Sequence, residues 1–335
     1  MNNLTAIANL RDAILRIDSP SRFDDLALEV FRHQYLHNGL YRRYCSLLGK
    51  DSENISSVED IPFLPIQFFK NYRVKTGVWR SEGVFSSSGT TGSVTSRHWV
   101  RNVDFYRRVA RQGFEGFYGA IENYCVLGLL PSYLERSGSS LIDMVADFIS
   151  LSKHGQSGFF LRDTDELVGI LKDLEAKGER YLLIGVSFAL LDFAERHSLE
   201  LKQGIIMETG GMKGRRRELT REELHECFNA SFQAEQIHSE YGMTELFSQA
   251  YAKARGIFHP STTLRAYSRE VTNPLEVMKS EGKTGVLNFI DLGNVDTCSF
   301  IATDDLGRVY PNGAFEVLGR LDNSDIRGCN LLIID

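Results

Sequence analysis

Tyr181-Leu182-Leu183-Ile184-Gly185-Val186 is a short apolar run that decides how the chain is read. Just upstream, Leu167, Ile170, Leu171 and Leu174 recur at helical spacing and stop at Gly178. Just downstream, Gly204 to Thr209 is a second strand candidate. Short apolar runs alternating with helical stripes are the pattern of a largely parallel sheet covered by helices. The alternation continues outward. Cys125 to Leu130 is an apolar run stopped by Pro131, and Leu141, Met144, Val145, Phe148 and Ile149 form a helical stripe. Thr220-Arg221-Glu222-Glu223 reads as a capping box opening a further helix. The predicted fold class is α/β, mostly parallel sheets with helices.

The flanks differ. Near the N-terminus Phe23, Leu26, Ala27, Val30 and Phe31 follow helical spacing, with Ser21 as a plausible cap. Residues 60–80 read as extended and proline-punctuated. From about Thr262 the pattern turns to short strands, Thr263 to Tyr267, Val286 to Asp291 and Ser299 to Thr303, which predicts a small β-rich subdomain. The expected organisation is 1–80 helical and extended, 81–261 an α/β core, and 262–335 a β-rich subdomain with a short tail.

Composition narrows the function. The chain has 335 residues, 42% hydrophobic and 24% charged, with a net charge of −6. That balance argues against a nucleic-acid partner, which calls for a basic face. No segment reads as a signal peptide, and none approaches the ~18 apolar residues of a membrane helix, so no membrane insertion is expected. Five cysteines are scattered without a C-x-x-C pair, which reads as reduced thiols in a cytoplasm.

Four motifs carry chemistry. Ser86 to Gly92 offers five hydroxyls and two glycines, so Ser87, Ser88, Gly89, Thr90, Thr91 and Gly92 can wrap phosphate oxygens with short side chains and backbone N–H groups. A polar hairpin turn fits the same residues, and the register is not that of a Walker loop. In Ser239-Glu240-Tyr241-Gly242-Met243-Thr244-Glu245 a tyrosine can stack on a base, a threonine can reach a phosphate and Glu245 can hold magnesium. Asp305, in a Thr-x-Asp-Leu-Gly turn, can take both hydroxyls of a ribose, and Arg320 can add a charged hydrogen bond. His238, directly before Ser239 of the magnesium motif, can touch a carboxylate or serve structure alone.

In this order the motifs resemble those of the adenylate-forming superfamily over roughly residues 84–330. Met207-Glu208-Thr209-Gly210-Gly211-Met212-Lys213 and Ile61-Pro62-Phe63-Leu64-Pro65 are similar to the acyl-protein synthetase (LuxE-type) family. Gly319-Arg320-Leu321-Asp322 with Ile326-Arg327-Gly328-Cys329-Asn330 also resembles phenylacetate–CoA ligases. The resemblance implies the N-terminal-type domain of these enzymes, with ATP and Mg2+ as cofactors. It further implies that Ser88 to Gly92 closes over pyrophosphate, that Glu240, Tyr241 and Gly242 frame adenine, that Thr244 and Glu245 handle phosphate and metal, and that Asp305 and Arg320 hold the ribose. Two departures stand out. Val94-Thr95-Ser96 replaces the family's Pro-Lys-Gly, with Arg97 as an imperfect substitute for the lysine, and Asp304 replaces a common glycine.

Thirteen residues follow Asp322, so the family's C-terminal lysine-bearing domain is expected to be absent from the chain. In acyl-protein synthetases a cysteine near the C-terminus is acylated, and Cys329 matches by position. A thiolate there would attack an acyl-adenylate, although an inert, packed cysteine fits too. The implied activity is activation of a carboxylic acid, fatty or aryl, and its transfer to a thiol, with an acyl-acceptor protein such as an acyl reductase as partner. An adenylation domain that loads CoA or a carrier protein with help from a separate chain, or a degenerate, non-catalytic nucleotide- or acyl-binding module, are the rival readings. Three weaker features complete the reading: Arg215-Arg216-Arg217, a solvated face or an acidic-partner contact; His154, a loop histidine or part of the acyl pocket; and Gly185 to Leu191, an acyl tunnel or a buried strand-to-helix junction.

Overall fold

Apolar runs become central strands because both faces of a parallel sheet are covered. β6 (Tyr181–Val186) is buried at all six positions, and β4 (Cys125–Leu129) at all five. Between them run α6 (Ser140–Leu151), β5 (Gly158–Phe159) and α7 (Thr164–Lys177), the last ended by Gly178 in the left-handed region at φ 67°. α8 (Ser187–Arg196) leads to β7 (Gly204–Thr209), and α9 (Arg221–Phe232) to β8 (Ile237–Tyr241). The Thr220–Glu223 capping box forms as read, each side chain bonded to the other's backbone N–H. β5, β4, β6, β7 and β8 pair in parallel in that order. The structure, a computed structural model, describes residues 3–87, 95–130, 138–160, 163–210, 219–273, 275–278 and 282–321.

The sheet does not stop at β8. β9 (Ala250–Ala252), β10 (Ile257–Pro260), β11 (Leu264–Arg269), β12 (Gly285–Asp291), β13 (Phe300–Val309) and β14 (Phe315–Arg320) extend it in antiparallel fashion. β10 bridges the two parts, pairing with β9 on one side and β14 on the other, in one twelve-stranded sheet. This is an α/β fold in which the late β-rich stretch and the parallel strands share a hydrogen-bonded ladder.

The N-terminal helices α1 (Asn3–Ile14), α2 (Pro20–His37) and α3 (Gly39–Leu47) lie against the late strands. Gln34, fully buried, donates to the carbonyls of Asn294 and Val295 and accepts from the Ser299 N–H. The α2 cap is Ser19 rather than Ser21: Ser19 Oγ accepts from the Arg22 N–H, and Pro20 takes the first helical position. Proline suits that place because its missing N–H would have no partner there.

The stretch read as extended is only partly so. β1 (Leu64–Pro65) pairs with β13, but α4 (Phe68–Asn71) interrupts the segment once Pro65 is past. β2 (Gly83–Ser86) and β3 (Arg97–Val100) form a separate hairpin, and α5 (Val103–Tyr118) follows. Among the described residues no helix is long and apolar enough to cross a membrane.

Candidate active site

The parallel strands β6, β7 and β8 end together, with Val186 opposite Thr209 and Thr209 opposite Glu240. The crevice beyond such carboxyl ends is where open α/β sheets bind ligands. The segment after β8 is irregular, so its shape must come from side chains reaching its backbone. Asp291 accepts from the N–H groups of Phe247 (2.7 Å) and Ser248 (3.0 Å) and from Ser248 Oγ (2.6 Å). Asn294 donates to the Glu245 carbonyl at 2.7 Å and accepts from the Phe247 N–H at 3.2 Å. His98 Nδ1 lies 3.0 Å from the Thr244 carbonyl, and its Nε2 3.0 Å from Thr297 Oγ1. A carbonyl only accepts, so the proton sits on Nδ1. Burial pushes His98 down to about 4, keeping the ring neutral against Phe247, 4.6 Å away.

The sequence-predicted residues that are described have definite places. The Tyr241 hydroxyl donates to Asp305 Oδ2 at 2.7 Å, and its ring packs among Phe258, Phe289 and Phe315. Arg320 Nε is 3.9 Å from Asp305 Oδ1, its side chain largely exposed. Asp305 is not in a turn. It lies within β13 opposite Arg320, beside a register shift between Leu306 and Gly307. Burial raises the Asp305 carboxyl, and the Tyr241 hydrogen bond and Arg320 charge pull it partly back.

Glu245 is buried, which raises its carboxyl, while Ser96 and the charges of Arg320 and Lys70 pull it back. No salt-bridge partner within reach of Glu245 occurs among the described residues. A buried carboxylate short of counter-charge is the donor an oxygen-seeking divalent cation needs when polyphosphate supplies the other ligands. Thr244 follows the exposed Gly242, where a Cβ would collide with Glu240 Oε1. Ser87 closes the base of the β2–β3 hairpin: its Oγ accepts from the Ser96 N–H at 3.0 Å. Ser88, Gly89, Thr90, Thr91 and Gly92 lie outside the described residues, as do Arg215 to Arg217 and Cys329.

Glu240 and His238 share the face of β8 opposite Tyr241, because alternate residues of a strand point to opposite faces. Glu240 is bonded to Thr209 Oγ1, and burial pushes it up to about 7. His238 Nδ1 is 3.2 Å from the Tyr118 hydroxyl, and burial lowers it to about 4. The structure therefore gives both residues partners away from Tyr241 and Asp305. His154 pairs with Glu179 at 3.4 Å, before the amino end of β6 and away from the crevice. Gly185 to Leu191 is the junction of β6 and α8.

Sequence reasoning assigned no role to Glu208, which organises the opposite face. It accepts from Ser187 Oγ at 2.8 Å and Arg221 Nε at 3.3 Å, with His225 Nε2 3.7 Å away. Burial opposes ionisation here, but His225, Arg221, Ser239 and Ser187 outweigh it, so the carboxyl is lowered. Beside it opens a cleft of about 810 Å³, whose walls include Glu208, Gly210 and Arg221 on one side and Glu316 and Gly319 on the other. Arg221 also lies over the Phe258 ring at 4.9 Å, so this network abuts the aromatic cluster holding Tyr241. His98 was likewise missed. Its alternation within Arg97-His98-Trp99-Val100 marks an inward residue, but nothing local names Thr244 as its partner.

Comparison with known proteins follows the same lines. The family model described as acyl-protein synthetase, LuxE, matches residues 17–113. A long-chain-fatty-acid–luciferin-component ligase from Aliivibrio fischeri is 23% identical over 342 residues, 92% of this chain and 86% of that protein. Among solved structures, an open conformation of 2-hydroxyisobutyryl-CoA ligase superposes with a TM-score of 0.60 at 12% identity, over 90% of this chain and 71% of that one. ATP-bound MatB from Rhodopseudomonas palustris gives 0.50 at 17% identity; the match covers 71% of this chain and about half (47%) of MatB. The fold is that of the N-terminal-type domain of adenylate-forming enzymes. Within that class the chain resembles the LuxE-type acyl-protein synthetases.

Proposed function

We propose that this chain is an acid–thiol ligase that activates a carboxylic acid, in the first instance a fatty acid, as acyl-AMP using ATP and magnesium. The acyl group then passes to a cysteine thiol, with Cys329 as the acceptor and an acyl reductase as the downstream protein. The observation that carries this reading is the Tyr241–Asp305 hydrogen bond at the carboxyl edge of the sheet. It brings together two motifs 64 residues apart, which supports reading them as one wall of a nucleotide site. The relatives point the same way: one is a long-chain-fatty-acid–luciferin-component ligase, and MatB was solved with ATP bound.

In the first step a carboxylate oxygen attacks the α-phosphorus, the bond to pyrophosphate breaks, and pyrophosphate leaves with its electron pair. No proton changes hands, so positioning and charge neutralisation do most of the work. Asp305 and Arg320 take the ribose, Tyr241 supports the base, and Ser87 to Gly92 and Thr244 meet the phosphates; Glu245 would hold a magnesium ion, which would supply charge to screen them. In the second step a thiolate attacks the acyl carbon, the bond to AMP breaks, and AMP departs.

The described cysteines narrow the acceptor. Cys45, Cys125 and Cys298 are buried, and burial raises all three thiols, Cys45 to about 12. Such thiols are scarcely ionised at neutral pH. Cys227 is exposed on α9 and serves as the comparison residue.

The test is intact mass after incubation with ATP, magnesium and a mixture of fatty and aryl acids, run on wild type, Cys329→Ala and Cys227→Ala. A hydroxylamine-labile adduct lost only in Cys329→Ala supports the full reading. Acid-dependent ATP–pyrophosphate exchange without any adduct supports adenylation and overturns the Cys329 step. Neither signal overturns the proposal in favour of a nucleotide-binding module.

A further inference from the structure

Adenylation brings a carboxylate onto a polyphosphate, so two anions must meet. The site needs a fixed cation close to the phosphates. Arg97, the substitute suggested by position, is exposed on β3 in the ladder opposite Ser86. Arg320 is paired with Asp305.

A different cation is held in place from two directions. On one side of α4, Gln67 Nε2 donates to both oxygens of Asp304, at 2.9 and 2.8 Å, directly beside Asp305. The Ile66 N–H donates to the Ala302 carbonyl on the same strand. On the other side Phe69 is 1% exposed and packs 5.5 Å from the His98 ring, which in turn bonds the Thr244 carbonyl. Lys70 follows Phe69 at once. It therefore stands between the strand carrying Asp305 and the loop carrying Thr244 and Glu245.

We propose that Lys70 is a catalytic residue whose ammonium group binds the phosphate oxygens of the nucleotide while the acyl-adenylate forms. This assignment rests on the adenylation reading. Lys70 is exposed, and among the described residues no carboxylate lies within salt-bridge distance of it. Lys70 and Glu245 thus each follow a residue in contact with His98, Phe69 and Thr244 respectively: Glu245 suits a magnesium ion, and Lys70 suits the oxygens that the ion leaves uncovered. The tethered short helix fixes where this side chain leaves the backbone. In the step itself Lys70 transfers no proton. It offsets the charge that builds on the non-bridging oxygens as the carboxylate oxygen bonds to phosphorus and pyrophosphate departs.

The experiment is acid-dependent ATP–pyrophosphate exchange on the full chain, with ATP binding by calorimetry and thermal melting alongside. Lys70→Ala is expected to lower kcat by about 100-fold, the usual scale for removing one transition-state donor. The KM for ATP is expected to rise less than kcat falls, since the interaction strengthens in the transition state. Ethylamine added to Lys70→Ala is expected to restore part of the rate, an effect that a purely structural lysine would not show. A Lys70→Ala rate within threefold of wild type overturns the assignment, as does a lost rate that amine fails to restore with an unchanged melt and intact ATP binding. A destabilised Lys70→Ala moves the same comparison to Lys70→Met, which keeps the aliphatic stem. Exchange absent from wild type overturns the adenylation reading and this assignment together, whereas exchange present in wild type and unchanged in the variant overturns Lys70 alone.

Discussion

Tyr241 donates its hydroxyl to Asp305 Oδ2 at 2.7 Å, across the boundary between the parallel strands and the late antiparallel ones. The rings of Phe258 and Phe315, which stack at 5.5 Å, close over the tyrosine. The phenol thus acts as a strut between two motifs, with its apolar body in the core and its polar end at the site. Tyr241→Phe keeps the packing and removes the donor. The part-buried Asp305 oxygen then loses this partner, so a stability loss of about 1 kcal/mol is expected in urea denaturation. A raised KM for ATP should accompany it in pyrophosphate exchange.

His98 makes stability sensitive to acid. Its folded pKa is about 4, against an ordinary 6.5. Between those values the unfolded chain binds a proton that the folded chain refuses, so stability is lost as pH falls from about 6.5 to about 4. His98→Gln removes this contribution. Its denaturation midpoint should therefore fall less than that of wild type between pH 7.5 and 5, whatever its absolute loss. Equal falls in the two proteins would sink the idea.

Glu240 acts in the opposite sense. Its folded pKa of about 7 lies above the ordinary 4.5, so the folded chain holds a proton that the unfolded chain has released. A destabilising contribution therefore grows as pH rises from about 4.5 to about 7 and is complete above that, on the order of 3 kcal/mol at most. Glu240→Gln can still meet Thr209 and carries no charge. The variant is expected to gain on wild type as pH is raised from 5 to 8, read by thermal melts across that range.

Glu245 ties the chemistry to magnesium. Chelation with EDTA should abolish pyrophosphate exchange, and added magnesium should restore it. For Glu245→Gln the magnesium concentration giving half-maximal rate should rise by about tenfold or more, the scale of lost metal affinity when one supporting group is removed. An unchanged magnesium dependence would remove Glu245 from the metal site.

Much of this was readable from local pattern. β6 and β7 run from Tyr181 to Val186 and from Gly204 to Thr209, the bounds set by their apolar runs. The Thr220 box needs only residues three apart, and such short-range contacts are legible in sequence. Errors arose where distant chain overruled local chemistry. Asp304-Asp305-Leu306-Gly307 has the composition of a turn, yet pairing with β14 draws it into a strand and absorbs the irregularity as a shifted register. Phe68–Asn71 is helical in a stretch punctuated by proline, directly after β1 pairs with β13.

Sequence by itself determined the alternation of strand and helix, the kinds of group present at each motif and the resemblance to adenylate-forming enzymes, because periodicity and residue chemistry are properties of neighbours. It could not say which way a side chain turns at a strand end. Glu208 and Glu240 are both acidic residues at carboxyl ends of adjacent strands, yet one faces Arg221 and His225, which hold its carboxyl down, while the other faces Thr209 and is pushed up to about 7 by burial. Only the tertiary structure decided that difference, and only it set Tyr241 against Asp305 and Lys70 between Asp304 and Thr244. Burial and long-range charge fix protonation and partnership, and both depend on segments that meet only when the sheet is complete.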